Sequence, residues 1–152
     1  MSSLPPKPAR RGVVGVLVRE GRLLVIRRSA TVVAPLAYCF PGGGIEGDET
    51  ESDALIREMR EELSVDVRPV GLLWQSTTPW EVELTWWMAE LDPAIEPVPN
   101  PAEVHSCAWH SIEEMLALEG LLESNRQFLA ALARGELLLD VAGLIAAGGT
   151  AG

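Results

Sequence analysis

The 152-residue chain is 47% hydrophobic and 22% charged, an ordinary globular composition that excludes a disordered polymer and permits a substantial core. Its formal net charge of −10 excludes a broad nucleic-acid-binding surface, because such surfaces collect Lys and Arg against phosphates. A small anionic partner stays compatible with that charge if a metal ion supplies local positive potential.

Residues 1 to 11, rich in Pro and Arg, are expected to form a flexible arm, followed by a single domain over 12–140 and a loose tail over 141–152. The apolar run from Val13 to Val18 ends at Arg19 and is too short for a secretory or membrane-spanning segment. The expected setting is therefore cytoplasmic, without a membrane partner. Cys39 and Cys107 lack metal-type spacing and read as free thiols.

Gly12 to Arg19 and Arg22 to Arg28 are β-type runs around Glu20-Gly21, which predicts a hairpin. A short apolar stretch, Ala37 to Phe40, leads into Pro41 and three glycines, which read as a loop. From about Glu49 to Leu63 the spacing turns helical. Val65 to Trp74 and Val82 to Leu91 return to strand character, the second with Val82, Leu84, Trp86 and Met88 on one face. Asp92 to Pro101 carries four prolines and reads as a loop, and Cys107 to His110 as a short strand. Ser111 to Leu118 is expected to be a helix with Glu114 at the capping-box position, and Leu121 to Arg134 a second amphipathic helix. Strands, helix, strands and helices in this order predict an α/β fold with a mixed sheet held between helices.

The chemistry concentrates in Gly43 to Val65. At about 100° per residue, Glu58, Glu61 and Glu62 share one helix face, with Glu51 falling on it earlier, while Leu55, Ile56, Met59 and Leu63 form an apolar stripe beside it. Like charges at this spacing repel by a few tenths of a kcal/mol per pair, and a hard divalent cation relieves that repulsion. The glycines ahead of the helix allow close backbone approach to a metal or phosphate. Arg57 and Glu49 are placed to pair and to tie the loop onto the helix. An acidic helix face alone is ordinarily a solvated face; the spacing across the whole segment argues otherwise.

The segment resembles the Nudix box: a glycine, five residues, a glutamate, seven residues, then Arg-Glu-aliphatic-x-Glu-Glu-x-Gly-aliphatic. Gly43, Glu49, Arg57, Glu58, Glu61, Glu62 and Val65 stand at the required positions, with Met59 at the aliphatic one, and Ser64 replaces the usual Gly. The resemblance implies a Nudix-type α/β/α sandwich and hydrolysis of a diphosphate linkage in a nucleoside triphosphate or nucleoside diphosphate derivative. It implies a resident Mg²⁺, with Mn²⁺ as an alternative. Glu58, Glu61, Glu62 and the carbonyl of Gly42 are then the metal ligands, with Glu49–Arg57 the structural salt bridge. By the same resemblance Glu103, ahead of the Trp109 strand, is a candidate further ligand or general base, and Glu61 is the other candidate base. Ser64 puts the helix terminus in question and leaves the ligands untouched.

Arg27 and Arg28, at a strand end, are candidate phosphate contacts, with plain solvent-facing ends as the competing reading. Tyr38 and Trp86 are candidates for lining the pocket. Core packing competes for every Trp, and Trp86 and Trp87 must point to opposite faces. His105 and His110 read as surface residues. The expected partner is a small nucleotide-like diphosphate, not a nucleic acid; a homodimer stays open. The competing function is a Nudix-like module that senses a nucleotide without cleaving it.

Overall fold

The computed structural model describes residues 10–139, so most of the expected arm and all of the expected tail lie outside the described residues. Strand β1 (Arg10–Arg19) runs into β2 (Arg22–Arg28) through Glu20 and Gly21, both at positive φ (51° and 75°), the primed-turn conformation that matches strand twist. Arg10 and Arg11 belong to β1, where Arg10 pairs with Val82, so neither is part of the arm expected over residues 1 to 11.

Next come β3 (Tyr38–Cys39) and β4 (Gly42–Gly44), then helix α1 (Glu51–Leu63). β5 (Arg68–Thr77) and β6 (Val82–Glu90) form a second hairpin, followed by β7 (Val104–His110), α2 (Ile112–Leu116) and α3 (Glu123–Ala133). The glycines expected as a loop are a strand: Gly42, Gly43 and Gly44 pair antiparallel with Val14, Val13 and Gly12. β1 also runs parallel to β6 from Arg10 to Leu17 and antiparallel to β2 at its far end. It is the axis of a mixed sheet ordered β3-β2-β1-β6-β5, with β7 paired to β2.

Period-two alternation divides the apolar residues between the two faces of the sheet. Val13, Leu17, Leu24 and Ile26 pack under α1 against Ala54, Leu55, Met59 and Leu63. Val16, Leu23, Val25 and Trp86 face Met115, Phe128 and Leu129 on the side of α2 and α3. Full burial of each large side chain stabilises by roughly 1.5–3 kcal/mol. The result is the expected α/β/α sandwich. No described helix is long and apolar enough to cross a membrane. Cys39 and Cys107 are free, and burial pushes the Cys39 thiol up to about 12.

Candidate functional site

Thr50 starts α1: its Oγ1 accepts from the Asp53 N–H at 3.1 Å, a cap contributing about 1 kcal/mol. Ser64 ends it in the left-handed conformation (φ 57°, ψ 37°), and its N–H donates to the Arg60 carbonyl. Between the caps, Leu55, Met59 and Leu63 face the sheet, which turns Glu58 and Glu62 toward β4 and the β6–β7 loop.

Glu62 and Glu58 are nearly buried, at 6% and 9% exposure. The Gly42 N–H donates to Glu62 Oε1 at 2.9 Å. Burial pushes the Glu62 carboxyl up to about 8; that N–H and Arg28 oppose the rise, while the charges of Glu58 and Glu103 add to it. Burial likewise raises Glu58, against the pull of Arg57. A Cβ at Gly43 would lie 2.3 Å from Glu58 Cδ, so glycine is what lets this carboxylate rest on β4. Glu61, with 47% of its side chain exposed, is the open one of the three.

Arg57 ties these groups together. Its Nε and Nη2 donate to the two Glu49 oxygens at 2.8 and 2.9 Å, which makes the pair expected from the sequence a bidentate one. Nη2 also reaches the Gly44 carbonyl at 2.8 Å, and Nη1 stands 2.9 Å from Glu58 Oε1 and 3.2 Å from Glu61 Oε2. The Arg57 hydrogen bonds and an N–H bond within the loop lower Glu49 to about 2.

Glu103 arrives from the β6–β7 loop. Its charge raises both Glu58 and Glu62, which places it at the same patch, and its Oε2 is buried without a hydrogen-bond partner. As the side chains stand, no three described His, Cys, Asp or Glu residues converge closely enough to hold a metal ion, and Arg57 Nη1 bridges Glu58 and Glu61. The donor set nonetheless fits a hard cation: carboxylate oxygens, one of them orphaned, beside a backbone that admits close approach.

Other candidates fall in different places. Arg28 lies near enough to Glu62 and Cys39 for its charge to lower both, and its Nε holds the Val33 carbonyl at 2.7 Å. Arg27 holds the Leu36 carbonyl and lies over the Tyr38 ring, 5.1 Å from its centre, so this pair braces the loop after β2. Trp86 is a correction. It is fully buried, stacked on Phe128 at 4.8 Å, with Nε1 donating to Ser76 Oγ, so no pocket reaches its ring. Glu51 leaves the acidic face as well: it accepts from Trp87 Nε1 at 2.8 Å and from Arg11 at 2.9 Å. Sequence reasoning missed Asn100, which bonds the end of α1 to the Glu103 loop; a lone loop Asn between prolines was its only signal.

A sheet between helices, with a glycine strand docked on an acidic helix through an Arg–Glu pair, defines a Nudix domain. The NUDIX domain family matches residues 6–132, and the chain belongs to the MutT-like Nudix hydrolase family. It is 35% identical over 106 residues to an uncharacterised Nudix hydrolase of Streptomyces coelicolor, covering 68% of this chain and 58% of that protein. It is 32% identical to a Nudix hydrolase of Deinococcus radiodurans, covering 80% of this chain and 75% of the relative. The fold matches the crystal structure of a MutT protein from Methanosarcina mazei, with a TM-score of 0.71 at 21% identity, over 88% of this chain and 99% of that one.

Proposed function

We propose that this chain is a divalent-metal-dependent pyrophosphohydrolase that cleaves a diphosphate linkage in a nucleoside triphosphate or nucleoside diphosphate derivative. The observation that carries the reading is the orphaned Glu103 Oε2, buried beside Glu58 and Glu62. Carboxylates gathered away from water call for a cation among them. Glu58, Glu61, Glu62 and Glu103, with the Gly42 backbone beside them, would hold Mg²⁺, or Mn²⁺ in its place. When bound, the metal neutralises charge on the diphosphate oxygens and acidifies a water.

The chain's own groups do the rest. Arg57 keeps its grip on Glu49 and Gly44 when Glu58 and Glu61 turn away from Nη1, so the loop stays docked. Glu61, the exposed carboxylate, or Glu103 takes the proton of the attacking water. Arg28, at the patch beside Glu62, faces the substrate phosphates, whereas the Arg27–Tyr38 pair stands on the α3 side of the sheet, where Tyr38 packs against the cluster of Phe128 and Leu129. The net charge of −10 favours a small nucleotide over a nucleic acid.

The test is phosphate and pyrophosphate release from a panel of nucleoside triphosphates and nucleoside diphosphate conjugates, with Mg²⁺, with Mn²⁺ and with EDTA. Metal-dependent cleavage of one class is expected. Nucleotide binding without any turnover would replace the enzyme by the sensing module, and turnover unchanged in EDTA would remove the metal.

A further inference from the structure

Glu103 reaches the acidic patch from a loop that the patch itself repels, since its carboxylate comes in beside those of Glu58 and Glu62 with one oxygen buried and unpartnered. Something must hold the loop in. Asn100, between Pro99 and Pro101, has the bonds to do so. Its backbone N–H donates to the Glu62 carbonyl at 2.8 Å, and its Nδ2 donates to the Glu61 carbonyl at 3.1 Å. The last carbonyls of a helix have no partner within it, so both bonds use acceptors that α1 leaves open.

The other atoms of Asn100 shape the turn that carries Glu103. Oδ1 accepts from the Ala102 N–H at 3.2 Å, and the Asn100 carbonyl accepts from the N–H groups of Glu103 (2.9 Å) and Val104 (2.7 Å). Ser29, buried at the end of β2, clamps the turn from the far side. Its N–H donates to the Glu103 carbonyl at 3.0 Å and its Oγ to the Ala102 carbonyl at 3.3 Å.

We propose that Asn100 is the positioning residue that registers Glu103 against Glu61 and Glu62, an inference that rests on reading Glu103 as a carboxylate of the metal site. The amide suits the task because it presents a donor to the helix and an acceptor to the turn at once. Aspartate has no donor, and serine is too short to span both.

The test is binding of Mn²⁺ alone to the full chain, read by electron paramagnetic resonance of the free ion, in a double-mutant cycle of Asn100→Ala and Glu103→Gln. Glu103→Gln should weaken Mn²⁺ binding about tenfold, and Asn100→Ala by a comparable factor, as for groups that orient metal ligands. The double variant should bind no more weakly than Glu103→Gln alone, because Asn100 acts through Glu103. Asn100→Ser, whose hydroxyl can serve the Ala102 N–H but not the Glu61 carbonyl, should also weaken binding; it replaces the alanine variant if near-UV circular dichroism shows that one unfolded. Wild-type affinity in a folded Asn100 variant, with Glu103→Gln weakened, overturns the positioning role alone. Losses that multiply in the double variant overturn it too, since Asn100 would then act independently of Glu103. Wild-type affinity in Glu103→Gln removes the metal-site reading of Glu103, and the proposal with it.

Discussion

The first glycine of β4 is stitched to the last carboxylate of the acidic face: the Gly42 N–H donates to Glu62 Oε1 at 2.9 Å. Its neighbour Gly43 supports Glu58 by leaving room where a Cβ would stand. The two glycines therefore fail differently. An alanine Cβ at Gly42 meets the Val13 carbonyl oxygen at 2.1 Å, and its φ of 156° disfavours a side chain. Backbone cannot retreat cheaply, so Gly42→Ala should cost about 3 kcal/mol and lower Tm by more than about 5 °C. At Gly43 the obstacle is the mobile end of Glu58. Gly43→Ala should hold Tm within a few degrees yet cut turnover at least about tenfold by displacing that carboxylate. Thermal melts and initial rates of both variants decide it; equal losses of stability would refute the distinction.

Glu103 trades stability for function. A buried carboxylate oxygen without a partner, beside two other carboxylates, costs roughly 1 kcal/mol or more in the metal-free protein. Glu103→Gln removes a charge and supplies an amide donor to its neighbours. It should raise the metal-free Tm by a few degrees and lower turnover at least about tenfold. Calorimetry in EDTA and rates in Mg²⁺ read the two effects separately. A lower Tm would mean that the carboxylate is held by bonds that the wild-type protein needs.

The Arg57–Glu49 pair contributes to the acid limb of stability. Hydrogen bonds from Arg57 hold Glu49 at about 2, below the value of roughly 4.3 for an unfolded chain. A depressed carboxyl contributes stability that is full above the unfolded value and lost as pH falls through the folded one. Glu49→Gln should therefore melt below wild type at pH 7, by a gap that narrows from about pH 4.5 downward and closes near pH 2. Paired melts across that window test it. A gap that stays constant would place the role of Glu49 in packing rather than charge.

The sequence made the local features readable. The Glu20-Gly21 turn, the capping box of α2, and the Glu49–Arg57 pair each depend on neighbours a few residues away, and each stands where the pattern predicts. What depended on distant partners was hidden. Glycine has no β propensity, so β4 exists because β1 offers it a ladder. β5 begins at Arg68 rather than near Val65, because Val65 and Val67 first tuck into the core after the Ser64 cap. Trp86 alternates as expected, but α3 covers its face of the sheet, which no local pattern reveals. Glu51 keeps its helical phase and loses its role to Arg11 and Trp87, both remote in sequence.

Ser64 is where the chain leaves the Nudix pattern, and its geometry explains why the departure is tolerated. It occupies φ 57°, ψ 37°, while its N–H bonds to Arg60 and the Val65 N–H reaches back to the Met59 carbonyl. That is the conformation in which glycine avoids the Cβ penalty, so the family's residue would relieve strain here. Some of the gain is returned through the greater freedom of glycine in the unfolded chain. Ser64→Gly should therefore stabilise by about 0.5–1 kcal/mol, a rise in Tm of a few degrees, and leave turnover unchanged. A rate altered more than about twofold would mean that the helix end helps to place Glu61 and Glu62, extending the site one residue past the helix.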